Sequence, residues 1–238
     1  MFSDSAGIYD AVYSFKDYAG EAAKLHRLIR AHSLNQAHSA SASTLLDVAC
    51  GTGKHLEQFG QWYEVEGLDL DRTLLGIAQE RLGNVPLHAA DMVSFDLGRR
   101  FDAVTCLFSS IGYVGTEERL NQAIATMANH LDPSGVLIVE PWLAPETWVN
   151  NRPHLLSVDE PDLKIARMSI SGQEGRLAIV DFTYLVGTPE GVRQFSERHE
   201  VALFTDGEYR DAFAAAGLGV EHDEEGLIGR GLYIARPA

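Results

Sequence analysis

Three strand-like runs each end on residues suited to holding a nucleoside. In "LLDVACGTGKHL", Leu45 to Leu56, an apolar run carries Asp47 and then Ala49 into a turn containing Gly51 and Gly53. Glycines in such a turn let backbone approach a ligand where a Cβ would clash. Asp69 closes "YEVEGLDL" eighteen residues after Gly51, where a carboxylate accepts hydrogen bonds from ribose hydroxyls. Asp91 and Met92 follow the third run, in "HAADM". A carboxylate there suits an exocyclic adenine amine, and a thioether can cover a ring face. A dinucleotide fingerprint would place a third glycine where Leu56 stands, so its absence weakens a nicotinamide-cofactor reading without removing it. An ordinary strand-to-helix turn also fits Gly51 and Gly53 alone. Asp71, directly before "RTLLGIAQERL", is the better helix N-cap, which leaves Asp69 for a ligand.

The elements that must carry these residues read as a βα rhythm. "TLLDVAC", "YEVEGLDL", "VPLHAAD", "FDAVTCLF" and "GVLIVEPW" have strand composition. They alternate with helical patterns in "KHLEQFGQW", "DRTLLGIAQERLG" and "TEERLNQAIATMANHLD", the last with Leu120, Ile124, Met127 and Leu131 on one stripe. Repeated units of this length need crossovers, which put helices on both faces of a mainly parallel sheet: a doubly wound α/β core. An amphipathic helix in "KDYAGEAAKLHRLIRAH" precedes it, followed by a polar surface loop, "SLNQAHSASAS". From Leu163 to Phe204 the rhythm changes to three strand-like runs, "LKIARMSIS", "RLAIVDFTYLV" and "GVRQFSERHEVALF", turning at "GQEG" and "GTPEG". This reads as an antiparallel meander. A short helix in "DGEYRDAFAAAGL" and two strands, "GVEHDEE" and "GLYIARP", close the chain.

The whole chain narrows the partners. Its 238 residues, 45% of them hydrophobic, can build a full core. A net charge of −15 repels phosphate polymers, so nucleic acid is not an expected partner. No apolar run reaches membrane-spanning length and "MFSDSAGIYD" lacks signal-peptide character, so the expectation is a cytoplasmic protein with no membrane partner. The two cysteines, Cys50 and Cys106, offer neither a disulfide framework nor paired metal-ligand spacing; both read as small core residues, and no metal is expected.

The motifs "LLDVACGTGKHL", "VEGLDLD", "AADM", "VTCLFSSIGYV" and "LDPSGVLIVEPW" resemble those of class I S-adenosylmethionine-dependent methyltransferases. More narrowly, "KDYAGEA", "FSSIGYV", "VEPWLAPE", "FSERHEVALF" and "GRGLYIA" resemble the N,N-dimethyltransferases acting on TDP-linked 3-amino deoxysugars in macrolide biosynthesis. The resemblance implies a Rossmann-like, seven-stranded, mainly parallel sheet with the meander inserted. It further implies one domain over residues 1–238, with 145–204 forming a substrate lid or the surface of a homodimer. The cofactor implied is S-adenosyl-L-methionine, contacted by Tyr9, Lys16, Ala49, Gly51, Gly53, Asp69, Leu70, Asp91, Met92, Leu107 and Phe108. Phe2 stands about where the family has a substrate-contacting tyrosine. Methylation of another small molecule, an oxidoreductase and a non-catalytic binding protein are the competing readings.

A sulfonium already carries an excellent leaving group, so methyl transfer needs a neutral nucleophile held in line, and positioning supplies most of the catalysis. Tyr113 and His199 are the candidates to orient an amine, against the alternatives of a satisfied structural histidine on a strand for His199 and a pocket cap for Tyr113. Arg230, between Gly229 and Gly231, is the candidate for a bidentate diphosphate contact, against the alternative of an exposed arginine between two strands. Trp142 stacks on a pyrimidine or packs under the insertion.

Overall fold

The computed structural model describes residues 4–33 and 43–238. Most of the polar stretch Ser33 to Ser43, and Phe2, lie outside the described residues. A short 3-10 turn, Ala6–Ile8, and one helical turn, α1 (Tyr9–Val12), precede α2 (Tyr18–His32). Then come β1 (Thr44–Val48), α3 (Lys54–Phe59), β2 (Glu64–Asp69), α4 (Arg72–Leu82), β3 (Leu87–Ala89), β4 (Phe101–Cys106), α5 (Glu117–Asn129) and β5 (Leu131–Val139). Local chemistry starts these helices where side chains satisfy free amide groups. Asp17 accepts from Gly20 N at 2.9 Å ahead of α2, and Asp71 from Thr73 N at 2.9 Å ahead of α4.

After β5 come β6 (Pro153–Glu160), β7 (Leu163–Glu174), β8 (Leu177–Thr188) and β9 (Gly191–Ala202), which form a separate antiparallel sheet in sequence order. The chain then returns through α6 (Asp206–Ala215), opened by a Thr205–Glu208 capping box, to β10 (Leu218–Asp223) and β11 (Leu232–Pro237). The larger sheet has seven strands in the order β10-β11-β5-β4-β1-β2-β3. Strands β1 to β5 are mutually parallel, while β11 runs antiparallel to β5 and β10 to β11. The expected doubly wound α/β core is therefore present. Strand numbering reverses between β4 and β1, the switch point at whose carboxyl edge open α/β sheets bind ligands.

Alternation along the central strands feeds two cores, which is why these runs are apolar throughout. Leu46, Val104 and Leu137 face the layer containing Leu120, Ile124 and Met127 of α5 and Phe213 of α6. Leu45, Ala103 and Val136 face Ala22, Leu25 and Ile29 of α2 and Phe59 of α3. Both cysteines are free and buried here, as expected.

The antiparallel sheet has four strands, one more than the run beginning at Leu163 predicts. The additional strand, β6, is an edge strand that opens on Pro153 and leaves most of its residues exposed, so its sequence lacks the apolar alternation that marks a half-buried strand. On the inner face of this sheet Ile165, Tyr184 and Val186 pack with Ile8 and Val12 of the N-terminal segment. Among the described residues no helix is long and apolar enough to cross a membrane.

Candidate active site

The carboxyl edge of the parallel strands, the inner face of the antiparallel sheet and the N-terminal segment enclose one cavity of about 660 Å³. That volume suits a small-molecule ligand or a ligand pair. Its strand-edge wall contains Ala49, Gly51, Asp69, Leu70, Asp91 and Met92. The antiparallel sheet contributes Arg167, Val180, Phe182, His199 and Val201, and the N-terminal segment contributes Tyr9, Tyr13 and Phe15. A second pocket of about 40 Å³ lies between Tyr18, His55, Lys54 and Leu107 and shares Tyr9, Ala49, Gly51 and Phe108 with the first.

Backbone strain gathers at the switch point. Ala49, after β1, has φ 61°, and Phe108 and Ser109, after the neighbouring β4, have φ 52° and 63°. Non-glycine residues hold such angles only where surrounding contacts overdetermine them. Glu140, fully buried after β5, accepts from Phe108 N at 2.6 Å; Ser109 Oγ donates to the Pro141 carbonyl at 2.6 Å. Arg230 Nη1 donates to the same Ser109 Oγ at 2.8 Å, and its guanidinium lies 4.5 Å from the Trp142 ring centre and 5.8 Å from that of Phe108. Burial lowers the Arg230 pKa, with Glu140 opposing the shift. A desolvated, stacked guanidinium thus lines the cavity as a cation with planar hydrogen-bonding geometry.

The residues suited to a nucleoside line the cavity. Asp69 accepts one backbone amide on each oxygen, from Gly51 and from Asp71, both at 2.8 Å. A carboxylate has about four acceptor sites, more than these two bonds use, and Asp69 lines the cavity. Burial raises the Asp69 pKa, with those amide bonds opposing. Asp91 accepts from Val93 N at 3.1 Å and pairs with Arg119 Nη2 at 2.9 Å, again using part of its capacity.

At the far wall the two candidates for orienting an amine meet. Tyr113, in the 3-10 turn Ser110–Val114, places its hydroxyl 2.7 Å from Nδ1 of His199 on β9, a residue 86 positions away. Burial pushes the Tyr113 phenol up and the His199 imidazole down, so both are neutral at neutral pH.

This edge-of-sheet cavity sits on a chain with close relatives. Residues 45–135 match the family described as a methyltransferase domain. A dTDP-3-amino-3,4,6-trideoxy-alpha-D-glucopyranose N,N-dimethyltransferase from Streptomyces venezuelae is 44% identical over 239 aligned residues, 99% of this chain and 98% of the relative. The chain belongs to the amino-deoxysugar N,N-dimethyltransferase family. The crystal structure of Streptomyces venezuelae DesVI matches the methyltransferase with a TM-score of 0.93 and 44% identity, covering 99% of each chain. CalS10, an amino pentose methyltransferase from Micromonospora echinaspora solved with S-adenosylmethionine bound, matches with a TM-score of 0.87 and 42% identity over 97% of each chain. The methyltransferase uses S-adenosyl-L-methionine; Asp69 and Asp91 line the cavity as carboxylates, the acceptor chemistry that ribose hydroxyls and an adenine amine call for.

Not every residue singled out in the sequence lines the cavity. Lys16 is buried, donates to Glu21 at 2.8 Å and lies 4.2 Å from the Phe108 ring centre, so it backs the wall that Phe108 forms. Glu21 also meets His55 Nε2 at 2.8 Å, which ties α2 to the first turn of α3. Gly53, at φ 77°, caps the start of α3, and a Cβ there would stand 2.7 Å from Leu82 Cδ1, so close packing already requires glycine at this position. Leu107 lines the smaller pocket. Arg167, Tyr13 and Phe182 were not singled out, yet Arg167 stacks on both rings, at 5.3 and 4.6 Å, and donates to Tyr13 Oη at 3.2 Å.

Asp47 shows what the smaller pocket costs the fold. Buried within β1 beside Thr105 of β4, it accepts the Thr105 hydroxyl at 2.7 Å, and burial pushes its carboxyl up to about 6. A raised folded-state pKa means the native protein binds more protons than the unfolded chain between about pH 4 and 6, so stability falls as pH rises through that window and stays lower above it. Asp47→Asn keeps an acceptor for Thr105 and should raise stability at pH 7 by on the order of 1–3 kcal/mol while flattening that part of the pH profile. Thermal melts from pH 4 to 8 measure this, and an unchanged slope in the variant would assign it to another group.

Proposed function

We propose that the methyltransferase transfers methyl groups to the amino group of a TDP-linked amino deoxysugar. The observation that carries this reading is a single cavity whose lining combines nucleoside-type acceptors, a hydrogen-bonded Tyr113–His199 pair and the desolvated Arg230. The acceptor named for the 44% identical relative supports the same choice. S-adenosylmethionine supplies an electrophilic methyl on a positively charged sulfur. The chain's own residues then have three tasks. Asp69, Asp91 and Met92 fix the adenosine, so the methyl direction is set by strand ends. Arg230 takes the diphosphate, with Trp142, which backs its guanidinium, turned toward the base. Tyr113 accepts an N–H of the amine and turns its lone pair toward the methyl; an in-line approach of this kind is where most of the rate is gained.

The antiparallel sheet serves in this reading as the lid over the acceptor, within one catalytic unit spanning the chain. Its outer face presents Leu155, Met168, Ile170 and Leu185, exposed apolar side chains that fit a homodimer contact. A cytoplasmic setting suits both cofactor and activated sugar. Incubation with S-adenosylmethionine and a panel of TDP-3-amino- and TDP-4-amino-deoxysugars, read by mass spectrometry, should give products heavier by one and by two methyl groups. Methylation of free amines alone, with every TDP-linked sugar returned unchanged, would refute the nucleotide-linked acceptor.

A further inference from the structure

Glu197 lies two positions before His199 on β9, so the two side chains leave the same face of the strand. Its carboxylate is buried, and Oε2 lies 3.6 Å from His199 Nε2. The opposite nitrogen, Nδ1, meets the Tyr113 hydroxyl at 2.7 Å. A buried carboxylate, an imidazole and a phenol therefore stand in a row that ends at the cavity. We propose that Glu197 is a positioning residue that orients His199 for a proton relay running from the acceptor amine through the Tyr113 hydroxyl to His199 Nδ1.

The tautomer follows from charge. A carboxylate facing Nε2 favours the proton on that nitrogen, which leaves Nδ1 with a bare lone pair to accept the Tyr113 O–H. The Tyr113 oxygen then has its own lone pairs for an ammonium N–H in the cavity. In the relay the ammonium N–H bond breaks as Tyr113 Oη takes that proton. The Tyr113 O–H bond breaks in the same movement as Nδ1 takes the phenolic proton. The amine keeps the electron pair that attacks the methyl carbon, tyrosine stays neutral, and the new imidazolium charge faces Glu197. Burial pushes the phenol's pKa up, which suits a conduit and not a phenolate base. The same burial lowers the His199 pKa, and Glu197 opposes that shift, so the carboxylate raises the basicity of the relay's terminal acceptor.

The carboxylate is itself held in place. Oε1 accepts from Ser5 N at 3.0 Å and Asp4 N at 3.2 Å, and Oε2 accepts from Ser5 Oγ at 2.7 Å. Those bonds come from the N-terminal segment that brings Tyr9 and Tyr13 to the cavity wall. One buried group thus fastens the segment and aims the histidine, and an anchoring role alone is the explanation to be excluded.

The inference rests on an amine binding at Tyr113, so its test has one arm that needs no substrate. With ¹⁵N-labelled histidine in the full-length protein, His199 should show the Nε2-protonated neutral tautomer at neutral pH. Glu197→Gln offers an amide N–H toward Nε2 and should shift His199 to the Nδ1-protonated form, removing the acceptor for Tyr113. In turnover with a TDP-amino sugar, Glu197→Gln should lower kcat roughly ten- to hundredfold, with the substrate KM and the Kd for S-adenosylhomocysteine unchanged. An Nδ1-protonated His199 in the parent protein, or a variant with unaltered tautomer and kcat, would overturn the relay. A fall in kcat matched by equal losses in KM and cofactor affinity would do the same, since that pattern belongs to a loosened segment. If the parent protein methylates no TDP-amino sugar, the acceptor assignment fails, and the tautomer still decides the orientation of His199.

Discussion

Arg230→Ala is expected to raise KM for a TDP-amino sugar by one to two orders of magnitude while lowering kcat far less. A protein carrying −15 net charge repels a dianionic diphosphate unless a local cation compensates. Arg230 meets that need from a stacked, largely desolvated position: its guanidinium rests on Trp142 at 4.5 Å and donates to Ser109 Oγ at 2.8 Å. Losing a charge-assisted hydrogen bond costs about 1.5–3 kcal/mol, which is the predicted change in KM. In the proposed acceptor the phosphates are remote from the transferring methyl, so they should bind ground and transition states alike and leave kcat nearly constant. Arg230→Lys should recover part of the affinity, because a point charge cannot reproduce the fork or the stacking. Steady-state kinetics, with cofactor affinity measured alongside, tests this. A KM at the parental value in Arg230→Ala would remove the diphosphate from this wall.

The second large effect is on the cofactor. Asp69→Ala removes acceptors for the ribose hydroxyls and also releases Gly51 N and Asp71 N, each held at 2.8 Å. The turn at Gly51, φ 56°, and the start of α4 then lose a shared tie, so the binding surface loosens as the direct contacts vanish. With roughly 1.5–3 kcal/mol for each charged bond left unmade, S-adenosylhomocysteine affinity should fall by at least two orders of magnitude. Asp69→Asn isolates the charge: its carbonyl oxygen can retain one amide bond while its NH2 cannot accept the other. Calorimetry on both variants should rank them parent, Asn, Ala, and parental affinity in a folded Asp69→Ala protein would exclude Asp69 from the ribose site.

Much of this was legible because topology fixes where strand ends go. Once βα units are read, Asp69, Asp91 and Phe108 must share one edge of the sheet, and Asp71 announces itself as a cap by position alone. Residues on the antiparallel sheet were harder. Alternation shows that Arg167, Phe182, Glu197 and His199 fall on a common face, but which face meets the cavity depends on how the sheet docks, and no local pattern encodes that. Pairing Tyr113 with His199, 86 positions apart, required the chain between them to fold. Strand β6 hid for the opposite reason, since an exposed edge opening on proline carries no apolar period. Lys16 and Gly53 carry packing tasks that their motifs do not announce: the first meets Glu21 and the Phe108 ring, the second gives Leu82 room.

The two-residue period of the antiparallel sheet has an evolutionary consequence. Arg167, Val180, Phe182, His199 and Val201 look inward, whereas their immediate neighbours Met168, Asp181 and Arg198 look outward. If this sheet covers the acceptor as proposed, selection for a new acceptor can redraw the inward set one position at a time, while the outward set and the strand-edge wall stay as they are. A library confined to Arg167, Val180, Phe182 and Val201 would sample acceptor preference as an independent variable, with the methyl donor held constant.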